Sequence, residues 1–152
     1  MRYPSVHLLA GLLLFASATG FGAAPLAVTD AWARATPPGA TTAAAYFTVS
    51  NPGATADRLV AGSSPAARQV QFHAEVEERG VRHMSQLDAV EVPANGRVEL
   101  APGSMHAMLV GIASPLVPGT RLTVTLRFEK AGEITLDVPV RDARAEPEHH
   151  HH

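Results

Sequence analysis

Through most of the chain, apolar and polar residues alternate one by one, and Pro and Gly break the alternation into short runs. A period of two is the mark of half-buried strands. The pattern is cleanest near the end. Over Glu133–Val140, Ile134, Leu136, Val138 and Val140 fall on one side, and Thr135, Asp137 and Pro139 on the other. Arg121–Glu129 behaves likewise, with Leu122, Val124, Leu126 and Phe128 inward and Arg121, Thr123, Thr125 and Arg127 outward. Lys130-Ala131-Gly132 between the two runs predicts a hairpin. Further strands are predicted over Ala27–Ala35, Thr42–Ser50, Arg58–Gly62, Gln69–Glu77, Val81–Asp88, Arg97–Leu100 and His106–Gly111. Pro37-Pro38-Gly39, Asn51-Pro52-Gly53, Glu78-Arg79-Gly80, Pro93-Ala94-Asn95-Gly96, Pro102-Gly103 and Pro118-Gly119 supply the turns. Beyond the N-terminal segment, no window of helical length has a clean 3.6-residue apolar period. Short strands at this spacing predict a single all-β domain, a Greek-key sandwich or barrel, with no internal repeat. Trp32, Tyr46, Phe47 and Phe72 are expected in its core.

Strand parity separates two histidines from that core. In Gln69–Glu77 the apolar set is Val70, Phe72, Ala74 and Val76, so His73 lies on the other face with Gln69, Gln71 and Glu75. In Val81–Asp88, Met84 shares a face with Arg82 and Gln86, an unusual setting for a methionine. A tight turn should join these strands. If Glu78 and Arg79 are its central pair, His73 and Met84 stand directly opposite, with Cβ atoms roughly 4.5–5.5 Å apart. If Arg79 and Gly80 are central, the two are diagonal neighbours at roughly 7–8 Å. His106 and Met108 are two apart in one strand and therefore share a face. Met105 points the opposite way and reads as core or lid; His83 points opposite to Met84 and reads as structural.

Two imidazoles and two thioethers make a neutral, soft donor set that favours Cu(I) over zinc, iron or calcium. Composition narrows the chemistry further. The 152-residue chain has no cysteine, which excludes disulfides, Cys-based zinc sites, iron–sulfur clusters and a thiolate-bound blue-copper centre. Its 12 basic and 14 acidic residues nearly balance, and no basic stretch resembles a nucleic-acid footprint. Arg2, the apolar run Val6–Ala16 and the small residues that follow read as a secretory signal over residues 1–24, with cleavage between 18 and 24. The apolar run is too short for a comfortable membrane span, so the mature domain, residues 25–142, is expected to be periplasmic, without stable membrane insertion. His7 leaves with the signal.

The spacing His73-x10-Met84-x21-His106-x-Met108 resembles that of the periplasmic copper chaperones of the PCuAC family. Trp32 and Arg34, Ala44-Ala45-Tyr46-Phe47 followed by Asn51, Gly80-Val81, and Gly103-Ser104-Met105-His106-Ala107-Met108-Leu109 resemble the family as well. The resemblance covers about Val28 to Val140. It implies a cupredoxin-like β-sandwich or barrel and one Cu(I) held by His73, Met84, His106 and Met108. It also implies delivery of copper to the CuA site of cytochrome c oxidase subunit II, directly or through a Sco-type thioredoxin-like protein.

The chain ends in His149, His150, His151 and His152, within a segment 143–152 that is either an expression tag or a native tail. A native tail would offer a secondary Cu(II) site, because imidazole suits the oxidised ion. Rival functions are copper storage or resistance, a copper-dependent enzyme, and an adhesive sandwich in which the His and Met residues are incidental. An enzyme is not expected: serines are few and lack a nucleophile motif, and no cleavage point exposes an N-terminal histidine.

Overall fold

The computed structural model describes residues 25–142. Residues 1–24, read above as a signal, and the tail 143–152, with its histidines, lie outside the described residues.

Every regular element among the described residues is a strand. In chain order these are β1 (Ala27–Arg34), β2 (Thr42–Asn51), β3 (Asp57–Ser63), β4 (Ala67–Glu78), β5 (Val81–Leu87), β6 (Val90–Val92), β7 (Gly96–Leu100), β8 (Met105–Ile112), β9 (Arg121–Phe128) and β10 (Gly132–Arg141). Seven of them run in the order β4-β8-β2-β1-β10-β9-β3, and a bridge between Gly62 of β3 and Val70 of β4 closes the ring into a barrel. Closure there needs a glycine: a Cβ on Gly62 would lie 2.8 Å from Val70 Cγ1. The neighbours are antiparallel except β1 and β10, which pair in parallel at Ala33↔Val140 and Arg34↔Arg141. Strand β5 extends β4, β6 lies on β3, and β7 pairs with the second half of β2.

The alternation read from the sequence fills the barrel. Leu122, Val124, Leu126 and Phe128 of β9 are all buried, against Val138 and Val140 of β10 and Phe47, Leu59, Phe72 and Leu109 across the interior. The β9–β10 hairpin forms as expected, with Phe128 opposite Gly132. Its turn is tied to β3 by the buried Asp57 carboxylate. That group accepts backbone N–H bonds from Arg58 at 2.7 Å and from Lys130 and Ala131 at 2.9 Å each. Burial alone would push the Asp57 pKa up, but these donors and the Lys130 ammonium outweigh it and hold the carboxyl below its ordinary value.

Two expectations change. Strand β6 falls where the sequence predicts only a connection, because its three residues are too few to display a period. Val90 and Val92 are nevertheless buried, opposite Leu59 and Asp57. Of the four aromatic residues expected in the core, Phe47 and Phe72 are there, but Trp32 and Tyr46 are not part of that cluster. Tyr46 is buried on the opposite face of β2 from Phe47, and Trp32 is half-buried beside it. A β-bulge in β1 carries Trp32 to that position. Thr29 pairs with Thr48, yet three residues later Trp32 pairs with Tyr46, and Asp30 within the bulge has φ +56°. Met105 packs against the core, which decides between its two readings.

Candidate metal site

Strands β4 and β8 bring the histidines together. Their register places His73 directly opposite His106, and Gln71 opposite Met108. On the barrel side of the same pair, Phe72 faces Ala107 and Val70 faces Leu109, so core packing fixes the register that juxtaposes the histidines. The imidazole rings stack with centroids 5.7 Å apart and planes 19° from parallel. The contact between the two residue pairs, which sequence spacing alone does not establish, is therefore a cross-strand neighbour relation.

The second of the two hairpin registers holds. Glu75, not His73, stands opposite Met84, and His73 stands opposite Gln86. His73 and Met84 are thus diagonal neighbours, a separation of roughly 7–8 Å between Cα atoms. Backbone geometry explains the choice. Arg79 and Gly80 both have positive φ, +54° and +76°, as a two-residue type I′ turn requires. A Glu78-Arg79 turn would force Glu78 into that region and leave the glycine unused.

Met84 sits on the outer strand of this hairpin and is 54% exposed. Met108 is half-buried opposite Ala44 of β2. Met84, His106 and Met108 line one cleft of about 580 Å³, with Tyr46, Glu75 and Arg82 at its walls. His73 does not line this cleft; its link to the other three is the stacking contact with His106. His83 is exposed on the face opposite Met84, in keeping with its parity.

Electrostatics favour the neutral form of His106. Burial lowers the His106 pKa below its ordinary value, the nearby His73 ring lowers it further, and Glu75 partly offsets both. A neutral imidazole offers a lone pair. His73 Nε2 lies 2.9 Å from Gln71 Oε1, while its Nδ1 is buried with no hydrogen-bond partner. A dry, unpaired ring nitrogen costs stability and suits a metal donor. Among the described residues, no group of three or more His, Asp or Glu is arranged to hold a metal. A metal at this place would therefore need the thioether sulfurs, and that requirement favours a soft ion.

Aromatic residues back the site on its far side. Trp32 packs on Tyr46 with centroids 4.7 Å apart, and Tyr46 lies 6.4 Å from His106. The Arg34 guanidinium sits 5.8 Å from the Tyr46 centroid, and that of Arg141 6.0 Å from Trp32. Sequence reasoning misses this layer because it places both aromatic residues in the core. For Tyr46 the signal is present: Phe47, its neighbour in β2, is a core residue, and parity puts the two on opposite faces.

The fold matches that of PCuAC domains. The copper-bound PCuAC domain from PmoF2 aligns with a TM-score of 0.68 and 34% sequence identity, over 80% of this chain and 97% of that domain. The Cu(I) form of DR1885 from Deinococcus radiodurans aligns with a TM-score of 0.62 and 26% identity, over 83% of this chain and 85% of that one. Within this class the chain belongs to the LpqE-like family, described as "Putative lipoprotein LpqE-like", whose sequence profile matches residues 26–140. A relative from Leifsonia xyli subsp. xyli, described as "Putative lipoprotein Lxx21020", is 36% identical over 116 residues, 76% of this chain and 69% of that protein.

Proposed function

We propose that this protein is an exported metallochaperone that binds one Cu(I) through His73, Met84, His106 and Met108 and passes it on, without catalysing a reaction. The observation that carries the reading is the stacked His73–His106 pair, with a thioether on either side and the buried, unpartnered Nδ1 of His73. Four neutral donors leave only the +1 charge of the ion in a partly open cleft, a modest desolvation burden. Thioethers stay competent in an oxidising compartment where a free thiol pair would risk a disulfide. The copper named for the PmoF2 domain and for DR1885 supports the choice of metal, and the lipoprotein descriptions of the family and of the Leifsonia relative support export.

The exposure of Met84 gives transfer a physical route. A partner can reach the site from solvent at that sulfur, exchange ligands one at a time and take the ion onto thiolates that bind it more tightly. The CuA site of oxidase subunit II and a Sco-type thioredoxin-like protein are recipients of that chemistry. If the histidine tail is native, His149–His152 would add a Cu(II) site.

Competition for Cu(I) against a chromogenic chelator tests the site. One equivalent bound tightly by the wild type, and lost in both Met84→Ala and His106→Ala, supports it. Binding unchanged in the two variants rejects the ligand assignment. Oxidase activity in a deletion strain, with and without added copper, separates delivery from storage: a defect rescued by copper supports delivery.

A further inference from the structure

Gln69, Gln71 and His73 occur at every second position of β4 and project on one face. Their side chains form a directed chain. Gln71 Nε2 donates to Gln69 Oε1 at 3.1 Å, which turns Gln71 Oε1 toward His73 Nε2 at 2.9 Å. An amide oxygen only accepts, so the ring nitrogen facing it must carry the proton. A neutral imidazole has a single N–H, and the lone pair is therefore left on Nδ1. That atom is the one buried without a partner.

We infer that Gln71 is a positioning residue that fixes His73 in its Nε2–H form and orients the ring so that Nδ1 is the nitrogen offered to the metal. The inference rests on the copper reading above. Metal-bound histidines generally donate their second ring N–H to an outer partner, and loss of such a partner typically weakens metal binding 10–100-fold. Gln71 is well placed for this role. It is the register partner of Met108, so one side chain borders two of the proposed ligands.

The test has a readout independent of copper. Long-range 1H–15N spectra of the full chain at pH 8, without metal, should show His73 protonated at Nε2, with that proton protected from exchange. Added Cu(I), which is diamagnetic, should then shift the Nδ1 nitrogen. Gln71→Leu should lose the protected proton and bind Cu(I) about tenfold or more weakly. Gln71→Glu keeps an acceptor at the same reach and should restore both. Gln69→Leu, at an exposed position, should weaken binding less and in the same direction, which keeps the test open should the Gln71→Leu variant not fold. An Nδ1–H form in the wild type overturns the inference. So does equal or tighter Cu(I) binding by Gln71→Leu, the result expected if Gln71 merely covers the ligand nitrogen. Failure of the copper reading would look different: no Cu(I) bound by the wild type, with the Nε2–H form intact.

Discussion

His73 and His106 occupy opposed positions on antiparallel strands, and their rings stack 5.7 Å apart on the outer face of the barrel wall. Two imidazoles this close cannot both be protonated cheaply. Burial, and then the His73 ring, depress the His106 pKa, so folding favours the neutral form. The unfolded chain takes up a proton near the ordinary value of about 6.5, where the folded chain does not. The stability contributed by neutral His106 is therefore complete above that value and declines as pH falls below it, toward the depressed folded value. Thermal melts of the metal-free protein should show a lower Tm at pH 5.5 than at pH 7.5. His106→Gln should flatten that slope; an undiminished slope in the variant would place its origin elsewhere.

Met84 allows ligand function to be separated from structure. It is 54% exposed on an outer strand, so its truncation removes little buried surface. Met84→Ala should leave urea-unfolding stability within about 0.5 kcal/mol of wild type, the usual range for surface substitutions. Its Cu(I) affinity should nevertheless fall by at least tenfold. A large loss of stability would mean that the side chain packs more than its exposure indicates, and would weaken the inference from any loss of copper.

Trp32 is the sole tryptophan in the sequence and packs on Tyr46 with the rings tilted, and Tyr46 adjoins His106. Its emission should report occupancy of the site. Titration with Cu(I) should quench Trp32 fluorescence and saturate at one equivalent, and the quench should vanish in His106→Ala. A response that persists in that variant would point to copper bound away from the stacked histidines.

Much of the site is legible in the sequence because a strand leaves so little freedom. With a period of two, the placement of Phe72 and Ala107 in the core puts His73 and His106 on the outer face, whatever else the fold does. The spacing also limits the β4–β5 turn to two registers. The choice between them depends on backbone conformation at Arg79 and Gly80, and a glycine at the second central position already points to the one that holds. Trp32 is less legible for a physical reason. The bulge at Asp30 inserts one extra residue, and parity counted straight through β1 misjudges everything beyond it. Strand β6 escapes the sequence because three residues carry no period, and its pairing with β3 is a tertiary fact.

Asp57 gives the most direct test of how the barrel is held shut away from the site. Its carboxylate accepts three backbone N–H groups and joins the start of β3 to the β9–β10 turn, while Lys130 Nζ donates to the Ala56 carbonyl at 2.7 Å. Removing the acceptor strands three donors in a partly buried turn, which costs about 1–3 kcal/mol for each group that water cannot reach. Asp57→Ala should therefore lose about 2 kcal/mol or more in urea unfolding at pH 7. Its Cu(I) affinity should be unchanged, since the turn contributes nothing to the cleft lined by Met84, His106 and Met108. Asp57→Asn keeps one acceptor oxygen and should lose less. The pH dependence has the opposite origin to that of His106. The folded carboxyl has a depressed pKa, so its contribution is complete above the ordinary value near 4 and is lost as pH falls through the folded value. The gap between wild type and Asp57→Ala should thus narrow at strongly acid pH; a gap that stays constant to pH 2 would show that packing, rather than the charged hydrogen bonds, is what the substitution removes.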